Sequence, residues 1–271
     1  MKDMFQLTDK VAVVTGAGGV ICSTLAKDLA AQGAKVALLD LAVENAQKVA
    51  DEIKAAGGTA IALKANVLDL ASLKEAAKSV KATFGRVDIL VNGAGGNHPK
   101  ATTSKDLNFF DLPADALKWV FDLNFVGTVM PTQVFGKTMA EQGEGCVVNI
   151  ASMASYRPLT RTVAYSAAKS AIVNFTEWMS VHFCQEYSAK IRVNAIAPGF
   201  LLTKQNEYLM VDQERNLTPR GRDVIQKTPM QRFGSPDELS GAVIYLCSQA
   251  ASFVTGIVIP VDGGFNAYAG V

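Results

Sequence analysis

The sequence predicts an α/β fold, a Rossmann-like, doubly wound parallel sheet of about seven strands in a single domain, residues 1–271. Two observations support this fold class. Short runs rich in β-branched residues alternate with longer amphipathic segments along the whole chain. The short runs are almost continuously apolar, as expected for strands that helices cover on both faces. Right-handed crossovers between such strands give a parallel sheet with helices on both sides.

The elements follow one another in a regular order. The predicted strands lie in KVAVVTG, AKVALLD, TAIALKAN, VDILVNGAG, GCVVNIAS, IRVNAIAPG and GIVIPVDGG, and the first helices in TLAKDLAAQG, NAQKVADEIKAAGG and LKEAAKSVKATFG. Gly33, Gly57 and Gly85 follow these helices, where a left-handed C-cap is expected. Later, SPDE from Ser235 to Glu238 combines an N-cap serine, a first-turn proline and a capping-box glutamate. The capping residues therefore mark helix ends where the predicted order of strands and helices requires them.

Two longer excursions interrupt this order. Residues 95–115 follow the fourth predicted strand, and residues 200–234 follow the sixth. Ligands of open α/β sheets bind beyond the carboxyl ends of the strands, so both excursions are predicted walls of a substrate site. The alternative is an ordinary surface loop, and it is weaker for the second excursion, because long structureless connections are uncommon in compact domains.

Composition narrows the choice of partner. The chain has 26 basic and 25 acidic residues and a net charge of +1, so we expect no nucleic acid and no membrane as a partner, but a small molecule. The N-terminal segment lacks the pattern of a signal peptide, and no apolar run is long enough to span a bilayer, which predicts a cytoplasmic protein. The cysteines lack the paired spacings of zinc sites, so we expect reduced thiols and no metal.

The stretch VTGAGGVICS follows the first strand and contains glycines suited to a phosphate-binding turn. A general G-x-G-x-x-G fingerprint would begin at Gly16 but meets Ile21 where its third glycine belongs. The segment instead resembles the T-G-x-x-x-G-x-G loop of short-chain dehydrogenases/reductases, with Val20 and Cys22 at the second and third glycine positions. Cysteine is small enough for the close helix–strand contact at the third position.

Backbone N–H groups and the helix N-terminus, rather than side chains, hold a pyrophosphate in such loops. Gly18 and Gly19 leave the backbone before Val20 free to present those groups. We therefore predict that the loop binds a dinucleotide despite Val20. The alternative is a plain strand-to-helix turn.

Acidic and amide residues end the next two strands. Asp40 ends the second strand, where a carboxylate would accept hydrogen bonds from ribose hydroxyls and repel a 2′-phosphate, so NAD(H) is expected in preference to NADP(H). The alternative for Asp40 is a solvated aspartate at a strand end. Asn66 follows the third strand, where the family that the loop resembles often has an aspartate that contacts adenine, and an amide oxygen can accept the same hydrogen bond.

A second set of residues lies further along the chain. Tyr165 and Lys169 in AYSAAKSAIVNF are four apart, on one face of a helix. Ser152 precedes Tyr165 by thirteen residues, and Asn124 lies in FDLNFVGT, on the preceding long helix. Together with the NGAG and PG motifs, these resemble, in order and spacing, the Asn-Ser-Tyr-Lys tetrad of short-chain dehydrogenases/reductases. The resemblance covers residues 8–271 and implies an NAD-dependent enzyme acting on a CH–OH group.

The resemblance also implies the roles of these four catalytic residues. Tyr165 exchanges a proton with the substrate oxygen, and Lys169 hydrogen-bonds the nicotinamide ribose. A nearby ammonium favours phenolate, so Lys169 is expected to lower the pKa of Tyr165 towards neutrality. Ser152 orients the substrate oxygen, and Asn124 holds a water that relays protons from Lys169 to solvent. The alternatives are that Ser152 caps a strand end and that Asn124 satisfies a buried helix kink.

The predicted cofactor contacts combine the glycine loop, the strand ends and the tetrad. They are Gly16, Gly18, Gly19, Val20, Ile21, Asp40, Leu41, Asn66, Val67, Asn92, Ala94, Gly95, Tyr165, Lys169, Pro198, Gly199 and Thr203. Candidate substrate contacts are Asn97, Lys100 and Arg157, with Arg161 nearby, because arginine forks suit carboxylates. The alternative for these cations is a solvated loop charge.

The loops TGAGGVIC and VNGAGGNHPKATT and the long second excursion resemble the fructuronate reductase, or D-mannonate oxidoreductase, branch of the family. This resemblance implies a sugar acid as substrate, with D-fructuronate and D-mannonate as the expected pair. A gluconate- or polyol-type dehydrogenase and a non-catalytic NAD-binding sensor are the alternatives. The family resemblance also implies a homotetramer. The apolar face around Ala171, Val173 and Trp178 suits an interface but could equally face the sheet.

Overall fold

The computed structural model describes residues 4–203 and 206–270. Its strands are β1 (Val11–Thr15), β2 (Lys35–Asp40), β3 (Thr59–Lys64), β4 (Ile89–Asn92), β5 (Gly145–Ile150), β6 (Ile191–Pro198) and β7 (Val258–Val261). They form one parallel sheet in the order β3-β2-β1-β4-β5-β6-β7. The predicted fold class, a doubly wound parallel sheet, is confirmed.

Helices cover both faces of this sheet. They are α1 (Val20–Ala31), α2 (Val43–Ala55), α3 (Leu70–Phe84), α4 (Ala114–Phe121), α5 (Gly127–Gln142), α6 (Val163–Glu186), α7 (Glu207–Met210), α8 (Pro219–Gln226) and α9 (Ser240–Cys247). Side chains of α1, α2 and α9 form the core on one face, and side chains of α3, α5 and α6 form the core on the other. In the described part of the chain, no helix is long and apolar enough to cross a membrane.

Strand β1 shows why the strand sequences are almost continuously apolar. Ala12 and Val14 belong to the core that α1 covers, and Val11 and Val13 belong to the opposite core. All four side chains are buried. Because successive side chains of a strand point to opposite faces, a strand covered on both sides has no position that faces water.

The predicted helix ends are confirmed. Gly33, Gly57 and Gly85 have φ angles of +92°, +85° and +81°, the left-handed conformation expected of a glycine C-cap. Ser235 and Glu238 form the predicted capping box. This box opens a 3-10 turn, Pro236–Leu239, which leads directly into α9.

The predicted long helix around Asn124 is interrupted. A π-helical turn, Asp122–Val126, separates α4 from α5. The Asn124 amide donates to Val120 O, just before the turn, at 2.8 Å, and Thr128 Oγ1 donates to Asn124 O, inside the turn, at 2.8 Å. Pro131, inside α5, lacks a backbone N–H and therefore cannot make the usual helical hydrogen bond. The kink that the sequence offered as an alternative role for Asn124 is therefore present.

The two excursions leave from the same edge of the sheet. Residues 95–115 contain two 3-10 turns, Pro99–Ala101 and Phe109–Asp111. Residues 200–234 contain α7 and α8 in their described part, so the second excursion is not structureless. The chain runs from β1 to one side of the sheet and returns to β4 on the other side. This reversal opens a crevice at the carboxyl ends of the strands, where ligands of such sheets bind.

Candidate active site

A cleft of about 660 Å³ lies at the carboxyl ends of the strands, around the reversal between β1 and β4. Every predicted cofactor residue except Asn92 lines it, and so do the predicted catalytic residues Ser152, Tyr165 and Lys169. The lining residues that the sequence analysis did not predict as site residues are Cys22, Asn45, Ala65, Gly93, Gly96, Leu123, Ile150, Ala151, Leu201 and Asn206.

The glycine loop keeps its tight turn. Gly16 has φ +65°, and a Cβ there would lie 2.9 Å from Ala94 Cα, so both the conformation and the space require glycine. Gly19 is the N-cap of α1, and Val20 is the first residue of that helix. The replacement of glycine by Val20 therefore leaves the strand–turn–helix geometry intact, with the N-terminus of α1 opening on the cleft.

Cys22 fills the contact between α1 and β4 that the third glycine position serves. Its side chain is buried, and a Cβ on Gly93 would lie 2.0 Å from the Cys22 Sγ. Glycine at 93 and a small residue at 22 are thus matched. Burial raises the pKa of the Cys22 thiol to about 12, so the thiol is neutral at physiological pH.

Asp40 is tied to the glycine loop. Its Oδ2 accepts a hydrogen bond from Gly18 N at 2.9 Å, and its Oδ1 accepts one from Ala42 N at 2.9 Å. A Cβ on Gly18 would lie 2.6 Å from the Cβ of Asn45 in α2, so the loop packs closely against α2. Each carboxylate oxygen has a second lone pair, which leaves Asp40 able to accept hydrogen bonds from a ligand.

Asn66 and Asn92, both predicted cofactor contacts, differ in position. Asn66 is exposed and lines the cleft, with its Oδ1 already accepting from Leu68 N at 3.0 Å. Asn92 is buried in the floor of the cleft, beneath the residues that line it, and its Nδ2 donates to Thr132 Oγ1 and Asn149 Oδ1, both at 2.9 Å. The side chain of Asn92 points away from the cleft because neighbouring side chains of a strand alternate in direction. The structure therefore does not bring Asn92 to the cofactor site.

Three catalytic candidates meet at one end of the cleft. Ser152 follows β5, and its Oγ accepts from Ala154 N at 3.1 Å. Tyr165 lies in the first turn of α6, and Lys169 lies one turn later. The Lys169 Nζ donates to Ile150 O at 2.7 Å and lies 5.7 Å from the centroid of the Tyr165 ring. A substrate oxygen at this end would face a hydroxyl and a phenol together.

The acid–base properties of the pair differ from the sequence-based expectation. Burial lowers the pKa of Lys169 to about 8, because a charged ammonium is disfavoured away from water. Burial likewise raises the pKa of Tyr165, and a hydrogen bond with Ser152 lowers it by less. The predicted lowering of the Tyr165 pKa by Lys169 is therefore wrong for this structure, in which desolvation is the larger effect.

Asn124 lies behind the cleft rather than in its wall. Its side chain is fully buried, and its Nδ2 donates to Gly96 O at 2.6 Å, while its Oδ1 accepts from Gly96 N at 3.2 Å. A Cβ on Gly95 would lie 2.7 Å from the Asn124 Oδ1 and 3.5 Å from the Lys169 Nζ. Asn124 thus fixes the loop that separates it from Lys169.

The candidate substrate residues are not brought together. The Asn97 Nδ2 donates to Thr102 Oγ1 at 2.9 Å, and Lys100 is exposed. Neither residue lines the cleft. Arg157 lines a second cavity, where its guanidinium donates to Asn266 O at 3.1 Å. The first excursion therefore contributes less to the site than the sequence suggested, because its polar side chains bond within their own loop.

Asn206 is a cleft residue that the sequence analysis missed. Its Oδ1 accepts from Thr203 N at 2.8 Å, and its Nδ2 donates to Leu201 O at 2.8 Å, which fixes the start of the second excursion. The only available signal was an asparagine soon after a strand end, a residue type that commonly closes turns. Most other missed residues adjoin predicted ones. In the described residues, no three His, Cys, Asp or Glu side chains are grouped so that they could hold a metal ion.

A doubly wound sheet with a glycine turn at its crevice and a serine, tyrosine and lysine at one end defines a nicotinamide-dependent oxidoreductase. The comparison with protein families agrees. A family profile described as enoyl-(acyl carrier protein) reductase matches residues 16–266. The chain belongs to the short-chain dehydrogenase/reductase family, whose members are oxidoreductases that act on alcohol groups.

Individual relatives extend this result over almost the whole chain. The uncharacterized oxidoreductase UxuB of Bacillus subtilis is 48% identical, over 98% of both chains. The crystal structure of a proposed D-mannonate oxidoreductase from Haemophilus influenzae, with bound NAD, has a TM-score of 0.93 and 48% identity, over 98% of both chains. A gluconate 5-dehydrogenase from Burkholderia cenocepacia, in complex with NADP and tartrate, has a TM-score of 0.87 and 30% identity, covering 98% of this chain and 99% of its own.

Proposed function

We propose that this protein transfers hydride between NAD(H) and a keto or hydroxy sugar acid, with D-fructuronate and D-mannonate as the pair. One observation carries the proposal. Asp40, at the end of β2, and the Ser152–Tyr165–Lys169 group, beside β5, line a single cleft. β2 and β5 are three positions apart in the sheet, a separation of about 14 Å, which suits an extended dinucleotide.

The residues present fit a nicotinamide dinucleotide. The backbone amides at the start of α1 would hold the pyrophosphate, and Gly16 and Gly18 leave room for the turn that presents them. Asp40 would accept from the adenosine ribose, and residues 65–67 would flank the adenine. Lys169 donates one hydrogen to Ile150 O, which leaves two donors for the nicotinamide ribose.

Charge supports NAD over NADP. Asp40 would repel a 2′-phosphate. Lys169, at the other end, is the only basic residue among the described residues that line the cleft, so no cation there would neutralise that phosphate. In a fluorescence titration we expect NADH to bind at least about tenfold more tightly than NADPH, a difference of about 1.4 kcal/mol.

Asp40→Asn, which keeps the size of the side chain but removes its charge, should narrow this cofactor preference. Equal affinities of the unmodified protein for NADH and NADPH would contradict the assignment of NAD.

Proton transfer falls to the residues at the other end. When bound, the nicotinamide supplies or accepts the hydride. Because burial raises the pKa of Tyr165, its phenol is protonated near neutral pH and can donate a proton to the oxygen of a keto substrate. Alcohol oxidation needs the phenolate, so raising the pH should accelerate oxidation and slow reduction. Ser152 would orient the substrate oxygen. Asn124 does not line the cleft, and both of its amide hydrogens are taken by Gly96 O and Val120 O, so in place of the predicted water contact we propose that it positions the loop beside Lys169.

The substrate assignment is supported by the Haemophilus influenzae protein, a proposed D-mannonate oxidoreductase with 48% identity to this chain. The Burkholderia cenocepacia gluconate 5-dehydrogenase, at 30% identity, supports a gluconate-type rival. Steady-state assays with D-mannonate, D-gluconate and D-mannitol as alcohols, and D-fructuronate in the reverse direction, separate the two.

We expect the largest kcat/KM for D-mannonate among the alcohols. A larger value for D-gluconate would favour the rival, and no turnover of any aldonate or uronate would contradict the proposal. NADH binding without any turnover, unaffected by Tyr165→Phe, would indicate a sensor.

We also propose a homotetramer in the cytoplasm. Trp178 and Val181 of α6, and Tyr187 directly after its last residue, are each more than half exposed, whereas Val173 packs against the sheet. An exposed apolar face on a long helix suits a symmetric subunit interface. Sedimentation velocity should give the mass of four chains, and a monomer would contradict this assembly. Fractionation of cells tests the location.

A further inference from the structure

A second cavity, of about 990 Å³, lies beside the cleft and has no role in the chemistry described so far. Its walls come from residues 157–161, from the second excursion with α8, and from the C-terminal segment. The two spaces share chain segments. Gly199 and Leu201 line the cleft, and Phe200 between them lines the cavity. Residues 157–161 likewise connect Ser152 to Tyr165. A substrate reacting at Tyr165 therefore has the cavity as its neighbouring space.

The wall of this cavity carries unbalanced positive charge. Its charged residues are four cations and one acid, namely Arg157, Arg161, Arg220, Lys227 and Asp223. Within the described residues, none of the five forms an ion pair. In the same excursion Arg215 and Arg232, which do not line the cavity, each pair with a glutamate, and Arg222, also outside the cavity, donates to a backbone carbonyl.

Arg220 has an unmet hydrogen-bonding requirement. Its Nε is buried, and no described residue accepts a hydrogen bond from it. The backbone there is fixed, because Thr218 Oγ1 caps α8 by accepting from Gly221 N at 3.0 Å. A buried donor without an acceptor is destabilising, which is why such groups in folded proteins call for a partner. Because the Nε has almost no accessible surface, a carboxylate in the cavity would meet the Nη groups of the guanidinium, whose N–H bonds match its two oxygens.

Further features of the cavity suit a polyhydroxylated anion. Tyr208 and Tyr268 line it and carry hydroxyls that can donate to and accept from a sugar. Arg161 adopts φ +73°, a left-handed conformation that is rare outside glycine. Its carbonyl accepts from Thr103 N at 3.0 Å, which ties this part of the wall to the first excursion. Such strain persists where the surrounding structure holds it, often at binding sites.

We propose that the second cavity binds the carboxylate end of the sugar acid, with Arg220 as the forked contact and Arg161 and Lys227 as supporting charges. The proposal rests on the function proposed above. It makes Arg220 a specificity-determining residue. The carboxylate is recognised away from the reacting carbon, which lies at Ser152 and Tyr165, so the charge selects acids over neutral polyols without entering the proton transfer.

The test compares two ligands that differ in one group. D-mannonate has a carboxylate where D-mannitol has a hydroxymethyl group, and each is titrated calorimetrically into the full-length enzyme saturated with NADH, in which no turnover occurs. Arg220→Met should weaken D-mannonate binding by about tenfold to a hundredfold and D-mannitol binding by less than about twofold. Arg220→Lys, which keeps the charge but not the fork, should fall in between.

The matched control is Arg222→Met. Arg222 lies on the same helix, outside the cavity wall, and its Nη1 donates to Leu217 O at 2.6 Å. Its loss should change the binding of neither ligand by more than about twofold, as for most surface substitutions. If Arg220→Met does not fold, the same binding measurement on a variant of the exposed Lys227 tests the proposal. Lys227→Met should weaken D-mannonate selectively, by about threefold or more.

Equal weakening of both ligands, or weakening of neither, would overturn the proposal. Tighter binding of D-mannitol 1-phosphate than of D-mannonate would overturn the assignment to a carboxylate. The two proposals fail separately. Arg220-dependent binding of D-mannonate without turnover would contradict the proposed function alone. Turnover of D-mannonate that is indifferent to Arg220 and Lys227 would contradict the carboxylate site alone.

Discussion

The floor of the cleft and the wall of the second cavity are both polar, but their polar groups are arranged in opposite ways. Asn92 and Asn149 in the floor are buried and hydrogen-bonded to other side chains. Arg161 and Lys227 in the wall are exposed and form no ion pair among the described residues. Floor residues constrain one another, so their loss should affect stability or catalysis with every substrate. Wall residues act only through what binds to them.

In the floor a continuous chain of hydrogen bonds connects the π-helical turn that holds Asn124 to α6, which holds Tyr165 and Lys169. It runs from Asn124 through two threonines of α5, the second being Thr132, to Asn92 in β4. From Asn92 it continues through Asn149 in β5 to Thr176 in α6, which bonds the carbonyl of Ile172. All these side chains are buried. Asn124 and the helix that carries Tyr165 and Lys169 are thereby held in one register.

The largest expected effect is that of Tyr165→Phe, at the end of the cleft that the floor supports. Removing the hydroxyl that we propose exchanges the proton should lower kcat by about 10²- to 10⁴-fold, while NADH affinity stays within about threefold. The control is Tyr156→Phe, since Tyr156 lies on the loop after Ser152 and is exposed. It should leave kcat unchanged within about twofold. Steady-state rates and NADH titrations measure both variants, and full activity of Tyr165→Phe would rule out this acid–base role.

Lys169→Met should change how stability depends on pH. Burial lowers the pKa of Lys169 to about 8 from its ordinary 10.5, so between these values the unfolded chain holds a proton that the folded chain has lost. The contribution of Lys169 to the free energy of unfolding therefore rises with pH across this window, by about 3 kcal/mol. It is lost again as the pH falls towards 8.

Urea unfolding of the unmodified protein and of Lys169→Met, without cofactor, isolates this contribution, because other titrating groups cancel in the difference. The difference between the two unfolding free energies should move in favour of the unmodified protein between pH 8 and 10.5. A difference that stays constant with pH would show that burial does not disfavour the charged ammonium.

Asn92→Ala tests the correction to the predicted cofactor site. Loss of two buried hydrogen bonds should lower the free energy of unfolding by about 1–3 kcal/mol and leave NADH affinity within about threefold. Asn97→Ala is the matched control, because Asn97 is an exposed amide bonded to Thr102 in the same excursion. It should change stability by less than about 0.5 kcal/mol. Weaker NADH binding with unchanged stability would show that Asn92 contacts the cofactor after all.

Sequence reasoning succeeded where one local pattern determines the structure. The strands, the glycine C-caps and the cleft residues around Gly16, Asp40 and Tyr165 follow from hydrophobic runs, turn chemistry and spacing. It failed where the result depends on distant contacts. The direction of the Asn92 side chain depends on the register of β4, and the pKa of Tyr165 depends on burial by the whole fold. The unpaired Nε of Arg220 is a property of the packed molecule, so no motif marks it.

Val20→Gly, which restores the second glycine of the loop, should have the smallest effect. In the proposed cofactor site the pyrophosphate would contact backbone N–H groups at the start of α1, so NADH affinity should change by less than about threefold. Stability should fall by up to about 1 kcal/mol, because glycine is a poor helix residue. Cys22→Gly is the variant for comparison and should lower stability. The Cys22 thiol fills the contact with Gly93, and its loss opens a void in the floor. A tenfold gain in NADH affinity for Val20→Gly would show that the valine side chain, and not the backbone, limits binding at this turn.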